Sequence, residues 1–512
     1  MKDKKICLIT PPSPFLSDER VFYFIGILKA AAAWEKLGYT IDCIDLCGVK
    51  NCEDVLKDYF DTNENLHFVG FTATSPQYSN AHKLAQFIKN NYKHKLVLGG
   101  THATLSHTSY KKEKKKNIEG RASRAVDQIL SVFDLLYAGD GELGLDLILN
   151  TPSGIIDGDE RLSSLFMNDK QLDESPWPAR HLIDVNSYDF TIDGVKATNM
   201  IAQLGCPYKC VFCGGRNSPS LRVIRTRTTQ NIINEIEFLH KTYGFRGFNL
   251  FDDELNVNKE MIPLMNGLSD LQNRLGVDFK FRGFTKSELF NDEQAKAMYR
   301  AGFRMLLTGF ESGDSRILLN IKKNATRDDN TRCVEVAHKN NLKVKALMSA
   351  GHPGESFESI ENTKKWLLEV RPEEFDLTII SPYPGSPIYD DAVEENDYYV
   401  YRDKQNGDAL YQKELNLMEE ANYYKSTPGS YVSYVWTDYL TAEDLVKLRD
   451  DFEIELRTKF GIPYNRVEAS TKYEHSMGSS NNMIPNWILR STENYKAQEI
   501  KKEEKRKLTV LQ

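Results

Sequence analysis

The chain has 512 residues, 40% of them hydrophobic and 27% charged, with a formal net charge of −7. That length allows two or three domains, and the composition is that of a globular protein. The balance excludes a strongly basic nucleic-acid footprint, and no apolar run reaches the ~20 residues a membrane-spanning helix needs.

Residues 6–10 read as a strand. Pro11-Pro12 ends that apolar run too early for a signal peptide. The chain therefore reads as cytoplasmic, and eight cysteines, three of them clustered, suit a reducing compartment. Residues 21–37 read as a helix ended by Gly38, 40–46 and 67–73 as strands, 80–91 as a helix, and 95–98 and 135–137 as strands. The basic run 111–116 reads as a solvated loop. Strands alternating with helices over residues 1–150 predict a Rossmann-like, doubly wound parallel sheet, which binds ligands at the carboxyl ends of its strands. Past those ends come Pro11-Pro12, Thr72-Ala73-Thr74-Ser75, Gly99-Gly100-Thr101-His102 and Gly139-Asp140-Gly141-Glu142. Glycines let a ligand approach the backbone, and hydroxyls offer polar contacts. One such loop is an ordinary tight turn; four on one edge describe a cleft for a large cofactor. The four loops resemble those of the cobalamin-binding domain that precedes many radical SAM cores. That resemblance implies cobalamin contacts at Thr72, Thr74, Ser75, Gly99, Gly100, His102, Gly139, Gly141 and Glu142. The sequence has no Asp-x-His-x-x-Gly motif, so no histidine is assigned as the lower cobalt ligand. His102 reads as a loop or nucleotide-tail contact.

A proline-broken stretch, 172–179, lies in a linker over 151–189. Six strand–helix units then span 190–390. Strands are read at 197–204, 247–251, 279–284, 305–310, 344–350 and 376–381. Helices are read at 229–243, 259–275, 293–301, 328–340 and 357–370. Six units predict an open, partial (β/α)6 barrel with its site at the carboxyl ends of the strands. The loop after the first strand carries Cys206, Cys210 and Cys213 in a C-x3-C-x2-C spacing. Three thiolates can hold three irons of a cubane iron–sulfur cluster, where four cysteines are usual; the fourth iron is left open. A structural zinc site would need a further Cys or His, and the nearest histidines are His181 and His240. With an aromatic before the last cysteine, the pattern resembles the signature of the radical SAM enzymes. There the open iron chelates S-adenosylmethionine (SAM) and cleaves it to a 5′-deoxyadenosyl radical.

Later strand ends carry more polar groups. Asp252-Asp253-Glu254 suits the methionine ammonium of SAM or helix capping; the resemblance favours SAM contact by Asp253 and Glu254. In Gly309-Phe310-Glu311-Ser312-Gly313 it implies Glu311 or Ser312 on the ribose hydroxyls. In Gly351-His352-Pro353-Gly354-Glu355 it implies backbone near adenine and methionine at Gly351, with His352 where an apolar residue is common. Ser381-Pro382-Tyr383-Pro384-Gly385-Ser386-Pro387 reads as a structural closing turn. Arg282 is open between binding a carboxylate or phosphate of SAM or substrate and pairing with Asp252. No side chain is singled out as catalytic.

Residues 391–512 read as a mainly helical capping region over the substrate. Tyrosines crowd between Tyr398 and Tyr439 and include Tyr423 and Tyr424. A helix over 441–460 opens on a Thr-x-Glu-Asp cap. A polar cluster at 473–478 and a Lys/Glu-rich tail at 496–507 follow. Cys7, Cys43, Cys47, Cys52 and Cys333 are scattered and read as small buried or surface residues. Taken together, residues 1–390 resemble the cobalamin-dependent radical SAM methyltransferases. The cofactors implied are a [4Fe-4S] cluster, SAM and cobalamin, with an external electron donor of flavodoxin or ferredoxin type. The reaction implied is transfer of a methyl group from methylcobalamin to an unactivated carbon, less often phosphorus, of a small molecule, with no nucleic-acid or membrane partner. Alternatives are a non-methylating cyclisation or rearrangement, a non-catalytic cobalamin or iron–sulfur protein, and a tRNA methylthiotransferase. The last needs a second cysteine triad and a basic module, and neither is evident.

Overall fold

The computed structural model describes residues 4–13, 19–418, 431–462 and 484–496. The first sheet contains β1 (Lys5–Thr10), β2 (Thr40–Asp45), β3 (Val69–Thr72), β4 (Leu96–Gly99), β5 (Leu135–Ala138) and β6 (Gly154–Asp157). These pair in parallel in the order 2-1-3-4-5-6, and the late strand Leu489–Ser491 adds antiparallel to β2. The sheet thus runs past residue 150. The order reverses between β1 and β3, which is where such sheets open a ligand crevice. Both faces are covered, so the strands are near-continuous apolar runs rather than alternating ones. Helix α1 (Ile25–Lys36) buries Leu28, Ala31 and Trp34 against one face with Ile6 and Leu8. Helices Cys52–Phe60, Tyr78–Asn91 and Arg121–Val132 cover the other, with Cys7, Ile9 and Phe71.

The basic run 111–116 is not a free loop. It ends α2 (Thr101–Lys115), where Lys112, Lys114 and Lys115 complement the negative pole of the helix dipole. Lys111 holds Asp157 and Lys112 holds Asp391, so the lysines tie the helix to its surroundings.

The second sheet has six parallel strands in sequential order: β7 (Val195–Met200), β8 (Gly247–Leu250), β9 (Lys280–Phe284), β10 (Phe303–Glu311), β11 (Lys343–Ala350) and β12 (Glu374–Ile379). It curls into the partial barrel expected. Helices Thr229–Tyr243 and Phe357–Val370 occupy the residues read from the sequence. Their ends are written locally: Thr228 and Ser356 accept the first-turn N–H groups, and Gly244 closes its helix in the left-handed region. Phe248, Phe281 and Phe303 stack in a row toward the helices, 5.5 and 5.4 Å between successive ring centres. Burying each contributes roughly 1.5–3 kcal/mol. The alternate residues Asn249, Arg282, Met305 and Lys345 therefore face the lumen.

The C-terminal region departs from the mainly helical expectation. Val393–Glu395, Tyr398–Arg402, Ala409–Gln412 and Val435–Trp436 form a four-stranded antiparallel sheet. The cause is local: Tyr398-Tyr399-Val400-Tyr401 is aromatic and β-branched, and Asn396 supplies a left-handed turn residue, φ 60°. Tyr398 and Tyr411 pack on Trp436. The helix Ala442–Phe460 starts at the predicted cap, Thr441 with Asp444, and Glu453 fastens it to the Leu377 N–H at 2.7 Å. Tyr423, Tyr424, the cluster 473–478 and most of the tail 496–507 lie outside the described residues. Among the described residues no helix is long and apolar enough to cross a membrane.

Candidate active site

A cavity of about 260 Å³ lies between the strand ends of the first sheet and the segment that leaves β7. It exists because side chains are missing where two elements pack. On α1 a Cβ at Gly26 would meet nothing within 4 Å, and at Gly99 only the Phe71 carbonyl, at 3.8 Å. Gly70, in the middle of β3, could carry a Cβ only 2.9 Å from Leu8. Gly100 (φ 88°) and Gly139 (φ 99°) adopt backbone that favours glycine, and a Cβ on either would run into the adjoining loop. Thr72, Gly99, Gly100, Gly139, Gly141 and Glu142, all expected at a cofactor cleft, line this space. Glu142 is held by Lys29 at 2.7 Å, and Asp140 by Arg225, which reaches over from the barrel segment.

Thr74, Ser75 and His102 do not line it. Thr74 caps its own turn with Gln77. The Ser75 hydroxyl bonds His102 Nδ1 at 3.1 Å, and the His102 ring stacks on Tyr78 at 4.3 Å. Burial lowers the His102 pKa to about 3, so the ring is neutral.

The cysteine loop forms the other side of the same space. Leu204, Ser220, Leu221 and Arg225 line the cavity, and the Leu221 carbonyl accepts the Cys206 N–H at 3.0 Å. Cys206, Cys210 and Cys213 share this loop, whose backbone is pinned by Val211 N–H to Ile321 at 3.0 Å. Burial among protein atoms lifts all three thiols, those of Cys206 and Cys213 to about 12. Cys213 nevertheless keeps accessible surface. Among the described residues no three side chains converge on a single metal ion. Three ligands of one cubane each take a different iron and so stand further apart than ligands of one ion.

Around the cysteines the strand ends gather charged groups, Lys286 and Lys323 fully buried, Glu254 and Glu311 partly so and Asp253 exposed. The chain leaves β8 at Leu250, and the three carboxylates that follow part company. Asp252 points into the core, wholly buried, and accepts the N–H groups of Ala202 and Gln203 at 2.7 and 3.0 Å. It positions the start of the cysteine loop. Asp253 and Glu254 face the mouth; desolvation among protein atoms raises them to about 6 and about 7, and Lys323 and Lys286 oppose the rise at Glu254. Glu311 sits at a bulge in β10 with φ 66°, a conformation a non-glycine residue rarely holds. It accepts from Lys323 Nζ at 3.0 Å and from Ser349 Oγ at 2.7 Å. Burial pushes its carboxyl up, but Lys323 and Ser349 outweigh that and hold it below the ordinary value.

His352 has a clear place here. Wholly buried, it bonds Ser349 at 2.8 Å and sets its ring against Phe212 of the cysteine loop at 5.2 Å. Burial lowers it to about 4, keeping it neutral beside Lys323. Gly351 (φ 82°) lies under Val435 of the C-terminal sheet. Ser312 is turned away: its hydroxyl bonds Thr363 at 3.0 Å. Lys286 and Lys323, both buried, were not read from the sequence. Lys286 was discoverable, being two residues past β9; Lys323 has no sequence signal. Cys7, Cys43, Cys47, Cys52 and Cys333 are buried in surroundings that push their thiols up.

Residues 200–367 match the family model described as the radical SAM superfamily. An uncharacterised methyltransferase of Pyrococcus horikoshii is 27% identical over 344 residues, covering 64% of this chain and 70% of that protein. The anaerobic magnesium-protoporphyrin IX monomethyl ester cyclase of Rubrivivax gelatinosus is 24% identical over 74% of this chain and 68% of its own. Among solved structures, the radical S-adenosylmethionine methyltransferase TsrM from Kitasatospora setae, with tryptophan substrate and the SAM analogue aza-SAM, aligns with a TM-score of 0.58. That alignment has 15% identity over 88% of this chain and 90% of the other. The cobalamin-dependent S-adenosylmethionine radical enzyme OxsB with aqua-cobalamin aligns at 0.56, with 14% identity over 75% and 55%.

Proposed function

We propose that this chain, a radical SAM enzyme with the fold of the cobalamin-dependent members of that superfamily, transfers a methyl group to an unactivated carbon, less often phosphorus, of a small molecule. One observation supports this above the others: the segment that carries the three cysteines also walls the glycine-lined cavity of the first sheet. Two cofactor sites on one interface suit a reaction in which a radical made at one meets a group delivered from the other. Bound there, a [4Fe-4S] cluster with SAM would supply the 5′-deoxyadenosyl radical and cobalamin the methyl group.

In this reading Cys206, Cys210 and Cys213 hold three irons. Asp253 and Glu254 take the SAM ammonium, and Glu311, fixed by Lys323 and Ser349, takes the ribose. Thr72, Gly99, Gly100, Gly139 and Gly141 admit cobalamin to the backbone of the strand ends, and Gly26 with Ala30 leaves room beside α1. Ile201, Leu204 and Leu221 make the shared wall apolar, which would keep water away from the reacting groups.

Anaerobic reconstitution with iron, sulfide and hydroxocobalamin tests the reading; we expect about four irons and one cobalt per chain. Four irons without cobalt would remove methyl transfer from cobalamin and leave a radical SAM enzyme of another kind. A second reading, cyclisation without methylation, is favoured by the likeness to the cyclase of Rubrivivax gelatinosus. SAM carrying a deuterated methyl group separates the two, since only methylation puts the label into product.

A further inference from the structure

We infer that the barrel lumen contains an anion subsite in which Arg282 receives a carboxylate or phosphoryl group of the substrate. The inference rests on the proposed function only in taking the lumen as the substrate's place.

Arg282 lies on the inner face of β9, level with Asn249 of β8 and Met305 of β10. Its Nε–H donates to Asn249 Oδ1 at 3.1 Å. Its guanidinium carbon is 4.6 Å from the Phe190 ring centre and 5.6 Å from that of Phe22. These contacts fix the plane of the group and use one edge of it. The two terminal nitrogens have no hydrogen-bond partner among the described residues, and no described carboxylate forms an ion pair with this arginine. Asp252, the sequence-level candidate for a partner, points away into the core.

Two fully buried arginines are spent. Arg180 binds Glu235, Tyr23 and the Asn199 carbonyl, and Arg225 binds Asp140 and two carbonyls. On the lumen face, Lys345 is neutralised by Asp376 at 2.9 Å and Glu374 at 3.4 Å. Arg282, partly buried, has no carboxylate within ion-pair distance; Glu374, already paired with Lys345, acts on it only from beyond contact, so a ligand anion would meet an unneutralised guanidinium. A planar guanidinium with its paired terminal N–H groups free is suited to two parallel bonds to a carboxylate or phosphoryl group. Toward the mouth the same face carries Phe251, Phe284, Leu307 and Leu347. The ligand class is thus an organic acid or phosphoryl ester with an apolar body between its anionic end and the carbon at the mouth.

The test is calorimetric titration of the iron- and cobalamin-reconstituted protein with benzoate, phenyl phosphate and benzyl alcohol. We expect at least one anion to bind about tenfold or more tightly than the alcohol, consistent with a charged hydrogen bond. Arg282→Gln should weaken that anion about ten- to hundredfold without moving the alcohol, and Arg282→Lys should restore part of the loss, keeping the charge but not the fork. The tighter of the two anions identifies the group. Anions that bind no better than the alcohol, or that bind Arg282→Gln as well as the parent, would overturn the subsite. If Arg282→Gln fails to take up wild-type iron, the comparison is made with Arg282→Lys, where unchanged anion affinity and stoichiometry would count against a bidentate site. None of these readings needs methyl transfer, so failure of the proposed reaction and failure of the subsite are told apart.

Discussion

The cavity of the first sheet and the mouth of the barrel face each other across one loop, yet they are built in opposite ways. The cavity is made by subtraction. Gly26, Gly70, Gly99 and Ala30 leave out atoms where a helix and a sheet would otherwise close, and its two ion pairs, Lys29–Glu142 and Asp140–Arg225, are already satisfied. The mouth is made by addition. Asp253, Glu254, Lys286, Glu311 and Lys323 gather charge at one opening, the two lysines fully buried, with strain at Glu311 to aim it. A site built from space takes a large ligand by shape, and one built from charge orients a small polar one.

The sharpest way to separate the two is to disable each alone. Cys210→Ala removes one of three thiolates that have no substitute nearby. We expect iron to fall from about four to below about one per chain, SAM cleavage to drop to background, and cobalt to stay at the parent level. Loss of cobalt together with iron would mean that the cavity needs the cluster for its shape. The reciprocal variant is Gly26→Leu, which places a side chain into open space on α1. Overpacking a cofactor site costs about 1–3 kcal/mol, so cobalamin should bind about ten- to hundredfold more weakly, with iron and SAM cleavage retained. The melting temperature should hold or rise, because glycine inside a helix costs roughly 0.5–1 kcal/mol against alanine. Unchanged cobalt uptake would show that the space beside α1 is not part of the cofactor site.

The same contrast explains what was legible in the chain. Chemistry by addition leaves a spacing: the cysteines announce themselves, and the acidic run after β8 does too. Which of its three carboxylates faces the mouth is set only by the fold, because the run lies past the end of β8, where strand alternation no longer applies. Chemistry by subtraction leaves almost none. A glycine at 26 or 70 reads as a weak helix or strand residue until the packing shows what it fails to fill. Lys323 is hidden for another reason, since it meets Cys210 and Glu311 only through the closure of the barrel. The C-terminal sheet escaped because its tyrosines read equally as packing over a barrel mouth. Thr74, Ser75, His102 and Ser312 show the limit of motif matching, for they sit in matching loops with their side chains committed to protein partners.

Glu355 gives the finest distinction and touches stability alone, because it belongs to the charged mouth by position but carries no ion pair. It is buried, its Oε1 accepts from the Ser359 hydroxyl, and its Oε2 has no partner. Burial raises its carboxyl from 4.5 to about 7, with Ser359 and the His352 and Gly351 N–H groups limiting the rise. The folded state therefore keeps a proton that the unfolded chain loses near 4.5. Between those values the native protein binds more protons, so this group lowers stability as pH rises from about 4.5 to 7 and by a constant amount above. Glu355→Gln cannot ionise. Against the parent it should be near neutral in stability at pH 4.5 and gain up to about 3 kcal/mol by pH 8, read as a rising difference in melting temperature of the cofactor-free proteins. A difference that stays flat across that range would mean Glu355 is ionised in the folded state, and the mouth would then hold one more fixed negative charge facing the SAM site.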